Sequence, residues 1–345
     1  MLRNIMRWQW QGVGEKVRWS VYGSVAGEPV GFELRKFGFT ILRIEGAKVP
    51  ASRIIGQLQT ASKEVETFLE PYARSQVDQG EVLIVNRSSE FDNRHQFFRQ
   101  LAAKAYAKSA QGPRGRRSRA STTGPVPAQL RGVIASISAE LNFSRRADSE
   151  GFFHSTAMID AYFSALEHRL VLLRAFMGKP LMHGELRQLL ALKWDDKLKE
   201  VLPAASMRTA DQLLGSMRRI KERIRNPFAH GGVENDNGSL FFRLPHVGAI
   251  PANFSRFGKS VRFTIIPIGV DDHAECCATF DQLDALLSTG DLSGPHRLLE
   301  AGIDPVFDEK SLKEYAEATV GGEAGLEEFI DRWGHEWERH ANMDY

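Results

Sequence analysis

Met207-Arg208-Thr209-Ala210-Asp211-Gln212-Leu213-Leu214-Gly215-Ser216-Met217-Arg218-Arg219-Ile220-Lys221-Glu222-Arg223-Ile224 runs straight into Arg225-Asn226-Pro227-Phe228-Ala229-His230. Met207, Ala210, Leu213, Leu214, Met217, Ile220 and Ile224 recur at the spacing of one buried helical stripe. The residue before a proline is pushed out of the α region, so this helix is expected to end or bend at Asn226. Asn226 can then cap a new turn with Pro227 at its first position, where a missing N–H costs nothing. Such a break sets Arg225 and His230 side by side at a helix junction. A guanidinium grips a phosphate with two parallel hydrogen bonds and never loses its charge. An imidazole moves a proton near neutral pH. The pair points to phosphate-ester chemistry without a metal.

Upstream, Gln129–Phe143, Phe152–Met177 and Glu185–Val201 also carry helical spacing. With the Met207 helix they make four, and short connections join them most economically into an antiparallel bundle. Downstream, Ser239–Leu244 and Ser260–Ile266 read as strands, expected to pair as a long hairpin across the Pro- and Gly-containing segment between them. Thr279–Ser288 and parts of Leu312–Ala341 read as helices packed on the bundle.

The other end of the chain differs. Val17–Gly23, Val30–Leu34 and Phe39–Ile44 alternate apolar and polar residues between turn signals. Ala51–Tyr72 follows as an amphipathic helix with Ile54, Ile55, Leu58, Val65, Phe68 and Leu69 on its apolar side. Glu81–Val85 reads as a strand and Phe91–Tyr106 as a helix. The expected organisation is an α+β multidomain chain. It has a small α+β domain over 1–110, a basic linker over 111–128, a helical bundle over 129–238, and a hairpin with helices over 239–345. The linker carries Arg114, Arg116, Arg117 and Arg119 among Gly, Ser and Pro. By composition it is a solvated tether, and an electrostatic arm for RNA phosphates is the functional alternative.

The chain has 345 residues, 42% hydrophobic and 26% charged, with a formal net charge of +2. That composition fits a soluble globular protein, and the near-balance of charge does not by itself mark a nucleic-acid binder. Cys276 and Cys277 are the only cysteines. No disulfide framework follows from two adjacent cysteines, and a reducing, cytoplasmic setting fits. No signal peptide, membrane span or internal repeat is read.

The central block resembles the HEPN superfamily. The resemblance rests on Arg225 followed by Asn226, four intervening residues and a closing His230, set in a helical block. Ala161-Tyr162-Phe163-Ser164-Ala165-Leu166-Glu167-His168 is similar to the aromatic- and acid-bearing first helices of that family. It covers roughly Gln129–Gly232, about a third of the chain. The resemblance implies a metal-independent endoribonuclease needing no cofactor, acting as a homodimer through the helical bundle with two motifs facing one cleft. It also implies toxin or antiphage-defence roles, with a silencing partner or antitoxin in some members. Other members have lost catalysis and bind RNA or a nucleotide only. A protein-interaction scaffold is the remaining alternative.

In the ribonuclease reading the 2′-OH of RNA is the nucleophile. His230 transfers the proton, Arg225 neutralises the phosphate, and Asn226 orients a phosphate oxygen or the imidazole. Glu167 could hold Arg225 by a charge-assisted hydrogen bond, or be an ordinary exposed helix residue. Arg219 and Arg223 could add phosphate contacts, or form a solvated helix face.

Other signals fail on spacing. His335 and His340 lie five apart, on different sides of a helix, so they do not make a zinc-protease pair. Asp271-Asp272-His273 and Cys276-Cys277 lack further ligands. Gly12-Val13-Gly14 lacks the later glycine of a phosphate loop. Trp8, Trp10 and Trp19 are better used in packing than in base stacking.

Overall fold

A computed structural model describes residues 7–111, 128–225, 240–245, 248–254, 261–262 and 268–342. In chain order the strands are β1 (Gln9–Gln11), β2 (Val17–Val25), β3 (Glu28–Arg35) and β4 (Gly38–Arg43), then β5 (Leu240–Leu244), β6 (Gly248–Phe254) and β7 (Val261–Arg262). The helices are α1 (Ala51–Gln79), α2 (Ser88–Gln111), α3 (Ala128–Phe176), α4 (Glu185–Ala191), α5 (Trp194–Val201) and α6 (Ala204–Ile220). After the hairpin region come α7 (Val270–Ser288), α8 (Ser293–Glu300), α9 (Glu309–Val320) and α10 (Gly322–Asn342). The chain is therefore mostly helical, with a small four-stranded antiparallel sheet near its N-terminus. No described helix is long and apolar enough to cross a membrane.

The described residues divide into two compact units, one drawn from Met1–Leu83, Pro180–Arg187 and Val306–Tyr345, the other from Ile84–Lys179 and Gln188–Pro305. These limits differ from the expected ones. Helix α2 lies in the second unit rather than with the N-terminal sheet, and α9 and α10 lie in the first. Composition marks linkers. It does not report which distant segments share a core.

In the first unit the strands follow one another in the order β1-β2-β3-β4, all antiparallel. Val25 pairs with Glu28 across a two-residue turn in which Ala26 and Gly27 both have positive φ (51° and 82°). That turn has the twist antiparallel strands prefer. Val30, Phe32, Val49 and Ile54 form the core, with Trp8, Trp19, Ile41 and Leu58 packed on it. Trp8 stacks on Phe32 at 5.7 Å between ring centroids, so Trp8 and Trp19 are used in packing. Glu33 is buried but satisfied by Tyr22 Oη at 2.6 Å, Arg35 Nε at 2.6 Å and Ser20 Oγ at 3.3 Å. The Tyr22 hydrogen bond leads in holding its carboxyl below the ordinary range. Helix α1 stops at Gly80, whose φ of 76° satisfies the last carbonyls. A Cβ there would sit 2.7 Å from the Phe307 carbonyl oxygen, so glycine is required twice over. The expected strand over 81–85 shrinks to one bridge, Leu83 to Val306.

The second unit is built on α3. The two helices expected over 129–143 and 152–177 are one helix of 49 residues. Gly151 does not break it, because the ring of Tyr106 lies where a Cβ would point, 2.6 Å from that position. Tyr162 of α3 stacks on Phe280 of α7 at 3.8 Å, and Phe163 meets Trp194 of α5 edge-on at 5.5 Å. The helix expected over 185–201 is split into α4 and α5. The expected hairpin is also corrected. The segment read as its loop contains β6, and β5 and β7 both pair with β6 rather than with each other. Gly248, Pro251 and Asn253 disguise that strand. Beyond Arg262, the expected strand to Ile266 lies outside the described residues.

Candidate functional site

Ala210, Leu214, Met217 and Ile220 of α6 are buried, as the stripe requires, and Ile224 continues it. The helix does not end at Ile220. It widens into one π turn, Lys221–Arg225, and such turns concentrate at functional sites. With Ile220 and Ile224 anchored in the core, Arg225 emerges at the end of the turn. Its Nε donates to Asp160 Oδ1 at 3.2 Å. Asp160 lies on α3 between two buried residues, Ile159 and Ala161, and is itself half-buried. Nε is the only side-chain nitrogen of Arg225 with a hydrogen bond to a described residue. An anion approaching along the plane of the guanidinium would meet the two terminal nitrogens, the edge suited to a phosphate.

One turn earlier, Lys221 places Nζ 5.6 Å from the Phe163 ring centroid and 5.7 Å from that of Trp194. Cations are attracted to ring faces at this range. Burial lowers the Lys221 pKa, Glu167 opposes that, and the charge of Arg225 adds to it. Arg218 pairs with Asp195 at 3.1 Å, and Arg219 donates to Ser216 Oγ at 2.9 Å. The site thus alternates in sign: Arg225 against Asp160, Lys221 near Glu167, Arg218 against Asp195.

The partner in contact with Arg225 is Asp160, two helical turns before the expected Glu167. Glu167 acts instead on Lys221. His168 is occupied elsewhere, since its Nε2 accepts from the Arg87 amide at 3.0 Å. Asn226 and His230 lie outside the described residues, as do Arg114, Arg116, Arg117 and Arg119 and the side chain of Arg223. The sequence reading missed Asp160 and Lys221. Asp160 did leave a signal: it is one acid inside Ala157-Met158-Ile159-Asp160-Ala161-Tyr162-Phe163, an otherwise apolar run.

Among the described residues no cluster of three or more His, Cys, Asp or Glu is arranged to hold a metal ion. Asp272 caps α7 through the Gly269 amide at 3.1 Å, while Cys276 and Cys277 are buried and free. No protein-family model, curated protein or solved structure matches this chain.

Proposed function

We propose that the chain is a metal-independent endoribonuclease whose reacting centre is Arg225, Asn226 and His230, in a helical domain of HEPN type. The observation that carries this is the Arg225–Asp160 pair at the end of a π turn. An arginine held through Nε has its fork aimed before substrate arrives, which lowers the entropy lost on gripping a phosphate. The 2′-oxygen attacks phosphorus as a base removes its proton, the P–O5′ bond breaks, and an acid protonates the leaving 5′-oxygen. His230 serves one of these roles, and His230 of a second copy the other. The products are a 2′,3′-cyclic phosphate and a 5′-hydroxyl. DNA has no 2′-OH and resists cleavage. A homodimer through the helical bundle, action as a toxin or antiphage effector, and a silencing partner or antitoxin belong to this proposal through the family resemblance.

The test is incubation of the full-length protein with mixed RNA in EDTA. Cleavage to cyclic-phosphate ends is expected, falling by roughly a hundredfold or more in His230→Ala. Undiminished cleavage in that variant, or no cleavage by the wild type, removes the proposal.

A second reading is an RNA- or nucleotide-binding module without turnover. It is favoured by the ion pair between Arg225 and Asp160, which an incoming phosphate must outcompete. It predicts that Arg225→Ala lowers RNA affinity while His230→Ala leaves it unchanged.

A further inference from the structure

His273 and Cys277 lacked a further ligand in the sequence, and α3 brings one. The two residues are four positions apart on α7, which sets them on one face of that helix. Cys277 Sγ lies 3.6 Å from His273 Nε2 and 3.7 Å from Met158 Sδ of α3. Met158 is fully buried, while Cys277 and His273 keep 8% and 7% exposure, so the cluster sits just beneath the surface of the second unit.

Hydrogen bonding fixes which nitrogen of the imidazole is bare. The Ile268 carbonyl can only accept, so Tyr106 Oη donates to it, at 3.0 Å. Ser155 Oγ donates to the Tyr106 oxygen at 3.4 Å, which uses its one proton. Ser155 must then accept from His273 Nδ1 at 3.1 Å. Nε2 is left with its lone pair facing Cys277, the tautomer of a metal-binding histidine whose other nitrogen is held by a partner.

A thiol carries one proton, yet two acceptors, Nε2 and Sδ, converge on this sulfur. A proton serves one of them, whereas a metal ion bonds all three groups. A first-row metal binds sulfur at about 2.3 Å and imidazole nitrogen at about 2.0 Å, so trigonal ligands lie about 3.7 Å apart from sulfur to nitrogen and about 4.0 Å from sulfur to sulfur. The two observed edges fall within a few tenths of an ångström of those separations. Thiolate and thioether are soft donors and select Cu(I). Charge agrees with that choice. A thiolate with Cu(I) is neutral, whereas with Zn²⁺ it would bury a net positive charge. Arg99, paired with Asp281 at 2.5 and 2.6 Å, also reaches Cys277 and would repel that extra charge.

We propose that Met158, His273 and Cys277 bind one Cu(I) ion and so tie α3 to α7. Binding releases the thiol proton to solvent and leaves the oxidation state of the metal unchanged. The site uses none of Arg225, Asn226 and His230 and does not rest on the ribonuclease reading.

Anaerobic titration of the full-length protein with Cu(I), in competition with the chromophoric chelator bicinchoninate, tests it. The protein is expected to withdraw one equivalent, and copper-edge X-ray absorption to show two sulfurs and one nitrogen. Ser155→Ala frees the imidazole tautomer and should weaken binding by roughly tenfold, and Cys277→Ser by roughly a hundredfold or more. Met158→Leu keeps the core volume and should weaken binding by roughly tenfold, with one sulfur lost from the spectrum. Cys276→Ala should bind as the wild type does. Circular dichroism without copper checks that each variant folds. A wild type that takes up no copper overturns the proposal. So does a Met158→Leu protein with wild-type affinity and spectrum, a Cys277→Ser protein that retains the metal, or a folded Cys276→Ala protein that loses it. Displacement of the bound Cu(I) by equimolar Zn²⁺ would equally overturn it.

Discussion

Arg169 shows how much the second unit asks of single side chains. Its guanidinium is buried and bridges two carboxylates, Asp284 at 2.6 Å and Asp92 at 2.8 Å, from α7 and α2. Tyr162 Oη donates to the same Asp284 oxygen at 2.9 Å. Burial opposes the charge of Arg169, but its two carboxylates outweigh that and raise its pKa. Arg169→Met would leave both carboxylates without their shared cation at the edge of the core. Breaking a fully buried pair costs about 3–5 kcal/mol. Both carboxylates keep partial water contact, so about 2 kcal/mol is expected here. Urea unfolding measures it. The triple variant Arg169→Met/Asp92→Asn/Asp284→Asn should recover much of the loss, because no orphaned charge remains. A triple variant as unstable as the single one would show that the cost lies in packing of the arginine stem.

At the scale of elements, two glycines in neighbouring helices should respond oppositely to the same substitution. Gly215 sits in mid-α6 with open space where a Cβ would point, so Gly215→Ala should stabilise by about 0.5–1 kcal/mol through helix propensity. Gly151 sits in α3 against the buried ring of Tyr106, whose hydroxyl donates to the Ile268 carbonyl at 3.0 Å. Overpacking at such a site costs about 1–3 kcal/mol and exceeds the propensity gain, so Gly151→Ala should destabilise. Thermal unfolding of both variants checks the two signs. The same contrast bears on what could be read in advance. Strands β2 to β4 were legible because apolar and polar residues alternate between turn signals in Val17–Gly23 and Phe39–Ile44, although β3 itself buries Val30, Gly31, Phe32 and Glu33 in succession. The stripe of α6 was legible for the equivalent reason at helical spacing. The continuity of α3 was not, since a glycine tolerated by a tyrosine 45 positions away looks locally like a break. The π turn was hidden too. Its register is set by Ile220 and Ile224 entering a core the local sequence does not describe. Arg225 was singled out through its motif, whereas its partner Asp160 lies 65 positions earlier and belongs to no motif.

Over the whole molecule, histidines that burial holds below their ordinary pKa collect in one unit. His95, His168, His273 and His296 all belong to the helical unit around α3, and desolvation is the largest cause for each. His95 is the most constrained. Its Nδ1 lies 3.2 Å from the Met158 carbonyl, which can only accept, so Nδ1 carries the proton. Nε2 is buried without a hydrogen-bond partner among the described residues, and the imidazole packs edge-on with the rings of Tyr162 and Phe280. A second proton there would bury both a charge and an unpaired N–H. Asp284 and Asp92 would attract that charge and Arg99 would repel it, without overcoming the desolvation. A histidine whose folded pKa is depressed binds fewer protons folded than unfolded. Its stabilising contribution is therefore complete above the unfolded value of 6.5 and is lost as pH falls through the window below it. The carboxylates held below their ordinary range, Glu33 and Asp281 among them, titrate lower still and add their loss only in stronger acid. Urea unfolding followed by far-ultraviolet circular dichroism should thus give a midpoint that drops between about pH 7 and about pH 5.5. His95→Leu should start less stable at neutral pH, because the Met158 carbonyl loses its donor, and should show a shallower drop over that window. A wild-type midpoint flat across it, or a His95→Leu variant with the full wild-type slope, would mean that this imidazole is not what couples the helical unit to protons.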